Sequence, residues 1–462
     1  MSLKKLVTIG ICAALASTVI GCGSSANDKE GLSAAETNDT SAQSVETESA
    51  NSPNISEYNG KEGAVELRFM TWNPDDAALS FVNDDWTKSH ADISFTLEHY
   101  DYSNYIQNLK IQLAAGQGPD VMGIQDGTLI DQFKDFLLPL DDYAKQKWGD
   151  NWQDGFNPLY MQLIKANYDV YYALPLGGTS AGYLYANKNF LDKYSLSVPQ
   201  NYSDLKADCE VLNKNGEYPL LADVSQGWIA KDLFMAIATD VNAQKLYDAI
   251  DGKCDWTDAD LVKAFQIYKN LFSDKILPEG VMGGITAQDI FTTDQNGGLF
   301  FMGSWYCNEI ASNETMNQQI KDGNDYPIFT IDWNDDGKTS PVTTGPDVCL
   351  CVNKNSEHID EAVELVEFLV TDGAKDMIDG KMQYLPARTD YQLPADKFTK
   401  TATNDFEYAI KRINDGTEGY REIPYPDLSQ ALVDELANIG MGTHTAEEAA
   451  QAMQDVSTTV ER

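Results

Sequence analysis

Three residue patterns in the chain have the types and spacing of recognisable chemistry. Gly178-Thr179-Ser180-Ala181-Gly182 has the glycine–serine–glycine spacing of a nucleophile elbow. That chemistry needs the serine on a sharp strand-to-helix turn, with an acid and a histidine later in the chain. Here a strand-like Tyr183–Tyr185 follows, and the downstream histidines are His358, at an expected helix start, and His444, in an expected turn. Serine hydrolysis is therefore disfavoured. Asp332-Trp333-Asn334-Asp335-Asp336-Gly337 offers side-chain oxygens at positions one, three and five of a calcium loop, from Asp332, Asn334 and Asp336. Position twelve is Thr343 instead of a bidentate glutamate, so calcium competes with a plain polar hairpin turn, and no other cofactor is implied. The 72 acidic residues make many carboxylate pairs, but spacing singles out none as the acid and nucleophile of a glycosidase.

The third pattern is a set of flat aromatic side chains beside amides and carboxylates. Trp72, Trp228, Trp305 and Tyr384 fall at expected loops or strand ends, and Asn73, Asp75, Gln125 and Asp126 adjoin the first strands. Rings stack on apolar C–H faces while carboxylates and amides accept from and donate to rows of hydroxyls, which is what a carbohydrate needs of its binder. An amino acid or a metal ion is served less well. Arg388 adds a guanidinium able to donate bidentately to a hydroxyl pair or an acid. For Trp72 and Trp228 the competing role is to cap a core, since Trp is usually largely buried.

These residues need elements to hold them. Val65–Met70 alternates apolar and polar side chains and ends at Thr71-Trp72-Asn73-Pro74, which reads as a first strand with Trp72 at its carboxyl end. A helix is expected through Leu79 to Lys88, then a strand at Ile93–Leu97. Tyr105, Leu109 and Leu113 recur every four residues in a helical stripe closed by Gly116, and Asp120–Ile124 follows as a short buried strand. Strand, helix, strand, helix, strand predicts a parallel sheet with helices on both faces. Ligands of such sheets sit outside the carboxyl ends of the strands, where Trp72 and Gln125-Asp126 fall. Further on, Gly177-Gly178 reads as a crossing into a second unit. Tyr183–Lys188 and Leu299–Met302 read as strands, and helices are expected around Leu205–Leu212, Trp228–Ala238 and Leu261–Phe272. Thr445-x-x-Glu448 is a capping box before the last helix.

The amino terminus stands apart. Lys4 and Lys5 precede an uncharged apolar run, Leu6 to Ile20, and small residues lead to Cys22. That is a secretory leader, residues 1–21, whose last four residues up to Cys22 resemble a bacterial lipobox, so Cys22 is the expected site of lipidation. Residues 22–60 are rich in Ser, Thr, Glu and Asn and are expected to be a tether spanning roughly 30 to 35 Å. The formal net charge of the 462-residue chain is -39, from 33 Lys+Arg against 72 Asp+Glu. Phosphate binding needs clustered cations, so nucleic acid is excluded as the main partner. Seven cysteines without a C-x-x-C spacing support neither a disulfide scaffold nor a zinc knuckle, and those beyond Cys22 read as inert buried thiols.

Taken in order, Leu67–Trp72, Ala114-Ala115-Gly116-x-x-Pro119-Asp120-Val121, Tyr172-Ala173-Leu174-Pro175, Tyr185-x-Asn187-Lys188-x-Phe190, Met302-x-x-Trp305, the helix after Ser356 and Pro386 resemble the family 1 extracellular solute-binding proteins of bacterial ABC importers. The resemblance covers residues 64–462. It implies an α/β, two-lobed periplasmic-binding-protein-like fold with hinge crossings near residues 177, 344 and 386, and a ligand cleft between lobes formed by 64–177 with 346–385 and 178–343 with 386–462. Gly178, Thr179 and Asp347, beside two of the crossings, join the candidate cleft residues, and Trp305 matches the family's aromatic after the small-residue turn. The expected function is capture of a carbohydrate, and of an oligosaccharide in particular, by a monomer lipid-anchored on the extracellular face of the cell membrane, for delivery to permease subunits. The chain itself would not be an enzyme. The alternatives are a surface-anchored glycan-degrading enzyme and a binder of a polyamine or other non-sugar solute. Where maltose-binding members carry aromatics after a Pro-x-x-Ser segment, Pro426-Asp427-Leu428-Ser429 leads to Ala431-Leu432-Val433, which argues against maltodextrin.

Overall fold

The computed structural model describes residues 52–462 except 166, 167 and 294; the leader, Cys22 and most of the tether lie outside the described residues. Twelve strands are formed among them: β1 (Asn54–Tyr58), β2 (Val65–Thr71), β3 (Ile93–His99), β4 (Val121–Ile124), β5 (Leu174–Ala181), β6 (Tyr183–Ala186), β7 (Tyr218–Leu221), β8 (Gly297–Met302), β9 (Ile328–Phe329), β10 (Val342–Val352), β11 (Leu385–Pro386) and β12 (Thr417–Tyr420). They make two sheets. The larger runs β1-β3-β2-β4-β10-β5-β11 with β12 paired to β10, and the smaller runs β7-β8-β6-β9. Helices cover both, giving the expected mixed α/β, two-lobed architecture.

The alternation in β2 is what fixes it in the larger sheet. Leu67 and Phe69 are buried, while Arg68 between them turns the other way and donates through Nε to Glu98 on β3 at 2.7 Å. β2 runs parallel to both β3 and β4, as the strand–helix–strand pattern predicts. Between β3 and β4 the helix Tyr102–Ala114 buries Tyr105, Leu109 and Leu113 and ends before Gly116 at a φ of +69°. Trp72 and Gln125-Asp126 therefore emerge side by side at the carboxyl ends of parallel strands. The expected helix over 79–88 is instead two short ones, Asp76–Leu79 and Asn83–Ser89.

Two further departures from the sequence reading have physical causes. Residues 54–58 are not tether: β1 lies antiparallel along β3, and the Tyr58 ring stacks on Phe95 at 4.5 Å. An edge strand held by its backbone ladder and one aromatic has almost no compositional signature. Gly177 and Gly178, read as a crossing, sit inside β5, paired to β10 and β11. They are glycines because a Cβ on Gly177 would lie 2.3 Å from the side chain of Tyr384, and one on Gly178 2.0 Å from the Tyr160 hydroxyl. β5 continues to Ala181, and the chain enters the smaller sheet after Gly182, whose φ of +104° suits glycine.

The helices Tyr202–Lys214 and Ala287–Thr292 pack on the smaller sheet. The helices Gly227–Ile250, Ala259–Ser273, Pro426–Gly440 and Ala446–Ser457 pack against one another, the last opened by the expected Thr445/Glu448 capping box. Cys349 and Cys351 lie in β10 as free, buried thiols, and burial pushes both well above the ordinary thiol range.

Candidate ligand-binding site

Where the carboxyl ends of β2 and β4 meet the start of the helix Gly227–Ile250 and the turn after β8, a cavity of about 460 Å³ opens. Trp72, Asn73, Asp75, Gln125, Trp228, Trp305 and Asp347 of the sequence candidates line it. Two aromatic pairs face into it. Trp72 packs edge-on to Tyr102 with ring centres 5.3 Å apart, backed by buried Tyr105 at 5.2 Å. Trp228 and Trp305 sit 5.8 Å apart at 55°, and Trp228 remains 40% exposed, which does not fit a core cap. Trp305 lies over Gly303, where a Cβ would come within 1.9 Å of its ring, so the small-residue turn is what lets the indole lie down.

Polar groups hold these walls in register. The Tyr102 hydroxyl donates to Gln125 Oε1 at 2.6 Å, and Gln125 Nε2 donates to Asp347 Oδ1 at 3.4 Å. Asn73 Oδ1 accepts from both Gln383 Nε2 and the Tyr384 hydroxyl, each at 2.8 Å. Asp75 Oδ1 caps the short helix after it by accepting from the Ala78 amide at 2.8 Å.

An ion cluster forms the floor. Arg421, from the loop after β12, donates through Nε and Nη2 to the two carboxylate oxygens of Asp232 at 3.0 and 2.8 Å, and through Nη1 to Asp347 at 3.4 Å. Its guanidinium carbon is 4.8 Å from the centre of the Trp305 ring, a cation–π contact. Lys231 Nζ donates to Glu422 Oε2 at 2.6 Å. Burial raises Asp126 to about 8, with Glu422 and Asp347 adding to it, and burial likewise raises Asp232 and Asp347. Glu422 behaves oppositely: burial disfavours its charge, but Lys231 and Arg421 outweigh burial and hold it at about 2.

Other candidates lie elsewhere. Gly178 and Thr179 are buried within β5, behind the cavity wall. Tyr384 is buried and reaches the site through Asn73. Arg388 is remote from it, stacked over Phe156 at 5.0 Å and paired with Asp390. Ser180 is buried on a strand with its hydroxyl 2.7 Å from that of Tyr183, and no strand–turn–helix elbow surrounds it. Asp332 accepts from the amides of Asn334, Asp336 and Gly337, Asn334 is tied to Asp240, and Asp336 pairs with Lys338, so the Asp332–Gly337 loop is a self-capped turn away from the cavity. Among the described residues no group of three or more His, Cys, Asp or Glu could hold a metal ion, and no helix is long and apolar enough to cross a membrane.

Sequence reasoning missed the cluster as a site. Lys231-Asp232 inside the apolar run Ile229–Ala238, and Arg421-Glu422 just before Pro424, are charged pairs in places where charge is costly, and that was the available signal.

The bacterial extracellular solute-binding protein profile matches residues 71–376. An uncharacterised ABC transporter extracellular-binding protein of Pyrococcus horikoshii is 26% identical over 170 residues, 35% of this chain and 37% of that protein. The chain spans less than half the length of the curated relatives it matches. Among solved structures, one described for xylan utilisation by Caldanaerobius polysaccharolyticus superposes with a TM-score of 0.74 at 22% identity, covering 85% of this chain and 99% of that one. Maltose-bound T. maritima MalE3 superposes at 0.68 and 18% identity, covering 86% and 100%. With its profile match reaching from the end of β2 into the helix before β11, this chain belongs to the bacterial extracellular solute-binding protein family.

Proposed function

We propose that this protein captures a carbohydrate, in the oligosaccharide size range, in the cavity between Trp72 and Trp305 and presents it to the permease of an ABC importer without altering it. The observation that carries this is the pairing of two aromatic walls, Trp72/Tyr102 and Trp228/Trp305, across a cavity of about 460 Å³ rimmed by amides and carboxylates. Stacking surfaces beside hydrogen-bonding groups are the complement of a sugar ring. The related structures described with xylan utilisation and with bound maltose support the same ligand class. Lipidation of Cys22 would hold a monomer at the outer face of the membrane. Ligand touched by residues on both sides of the cavity would favour a closed arrangement through differential affinity, with the bend in β5 and β10 and at residue 386. On this reading the lobes divide near residues 182, 341 and 386.

A titration with a panel of neutral oligosaccharides, followed by intrinsic Trp fluorescence, tests the proposal. A saturating change with one glycan, recovered intact, is expected. A shortened glycan would make the protein an enzyme, and silence across the panel would remove neutral carbohydrate as the ligand.

A further inference from the structure

A second cavity, of about 330 Å³, adjoins the first; Tyr102, Gln125, Lys231 and Glu422 line both. Its other walls include Asp126 at the end of β4 and Pro426 and Ser429 from the first turn of the helix Pro426–Gly440. The charges at this junction do not balance. Asp126, Asp232, Asp347 and Glu422 face two cations, Lys231 and Arg421. Lys231 is committed to Glu422, and Arg421 to Asp232 and Asp347. Asp126 is left over: it is 6% exposed, and its Oδ1 has no hydrogen-bond partner.

A buried carboxyl with no cation of its own keeps its proton in the empty site, and a ligand that is to draw out the carboxylate must supply both charge and donors. A neutral hydroxyl supplies a hydrogen bond and leaves the charge excess as it was. An ammonium supplies a positive charge and three N–H donors on one compact atom. Resting on the carbohydrate reading above, we infer that the ligand carries a protonated primary amine seated against Asp126 at the junction of the two cavities: the substrate is an amino sugar, or an oligosaccharide containing one.

The groups that face Asp126 are Glu422, Asp347 and Arg421 across the junction, Lys231 on the shared wall, and Tyr160 and Cys349 behind it. At pH 6 Asp126 holds its proton in the empty site and a sugar amine is protonated. Seating the ammonium there favours the carboxylate, so close to one proton leaves for solvent on binding. A neutral ligand would release none.

The test titrates the purified protein at pH 6 with oligomers of glucosamine, N-acetylglucosamine and glucose of matched length and linkage, in α- and β-linked sets, beside the neutral panel. Calorimetry in two buffers of different ionisation enthalpy counts protons released. The inference expects the free-amine series to bind about ten- to a hundredfold tighter than its hydroxyl counterpart, to release a proton, and to lose that margin in Asp126→Asn. The proton count on the unmodified protein decides the matter even if the variant folds poorly. Amines that bind no tighter than hydroxyl sugars, or that bind without proton release, overturn the inference. A neutral glycan bound while every amine fails overturns it and leaves the carbohydrate reading standing. Silence to all of them removes both.

Discussion

The guanidinium of Arg421 lies 4.8 Å from the centre of the Trp305 ring, so the cation that anchors the buried ion cluster also covers one face of an aromatic wall. Gly303 beneath and Trp228 beside it complete the seat. The indole is thus oriented before any ligand arrives, and an aromatic that is already fixed loses little entropy on binding.

Replacing Trp305 by Ala should weaken glycan binding by about 2 kcal/mol or more, the range of a central aromatic anchor. Thermal stability should change little by comparison, because the ring is only partly buried. Gly303→Ala should weaken binding through the same ring, since its methyl would occupy the space of the indole. Calorimetric titration of both variants against the glycan found in the panel is the check; unchanged affinity in Trp305→Ala would place the platform elsewhere.

Arg421→Met should be a stability variant before it is a binding variant. Asp232 is 2% exposed and would be left with its bidentate partner gone, which costs about 3–5 kcal/mol. Adding Asp232→Asn to Arg421→Met should return much of the loss, because the buried charge disappears with its partner. Urea unfolding midpoints of the two singles and the double measure this, and strict additivity would mean the pair is not coupled.

The sequence carried three strands of the larger sheet, β2, β3 and β4, and the ion cluster hardly at all. β2, β3 and β4 announce themselves because alternation and helical stripes are local patterns: Leu67 and Phe69 on one face, Tyr105, Leu109 and Leu113 four residues apart. Trp72, Gln125 and Asp126 follow from that pattern, since strand ends in a parallel sheet are where such residues meet. Arg421 and Asp232 are 189 residues apart, and their meeting depends on β12 pairing with β10, a long-range event no local period encodes. Arg388 and Gly178 lie outside the cavity, the guanidinium stacked on Phe156 and the glycine making room for Tyr160.

That room is itself testable. Gly177→Ala should destabilise by about 1–3 kcal/mol, since its methyl would lie 2.3 Å from the side chain of Tyr384. The same push would disturb the Tyr384 hydroxyl that donates to Asn73, so affinity should fall with stability. Gly283→Ala is the control: nothing lies within 4 Å of its Cβ, and it should stay within about 0.5 kcal/mol of the parent. Equal effects at the two sites in denaturant melts would contradict the packing argument.

Asp126 makes the unliganded protein sensitive to pH in a direction opposite to an ordinary salt-bridged acid. Folded, it keeps its proton up to about pH 8, because burial first and then Glu422 and Asp347 oppose its charge. Unfolded, it ionises near pH 4. Between those values the native state binds more protons than the unfolded state, so this group's contribution falls steadily as pH rises and levels off above about 8. Asp240, raised to about 7 by burial, works in the same direction, while Glu422 at about 2 adds stability that is full above about 4.5 and lost as pH falls through 2. Both of these remain in Asp126→Asn, so the difference between parent and variant isolates Asp126. Urea unfolding at pH 4.5, 6, 7.5 and 8.5 should show the variant gaining on the parent with each step upward, because the amide has no proton to surrender. Parallel curves would mean that Asp126 sheds its proton at an ordinary pH and that a neighbouring cation already balances it.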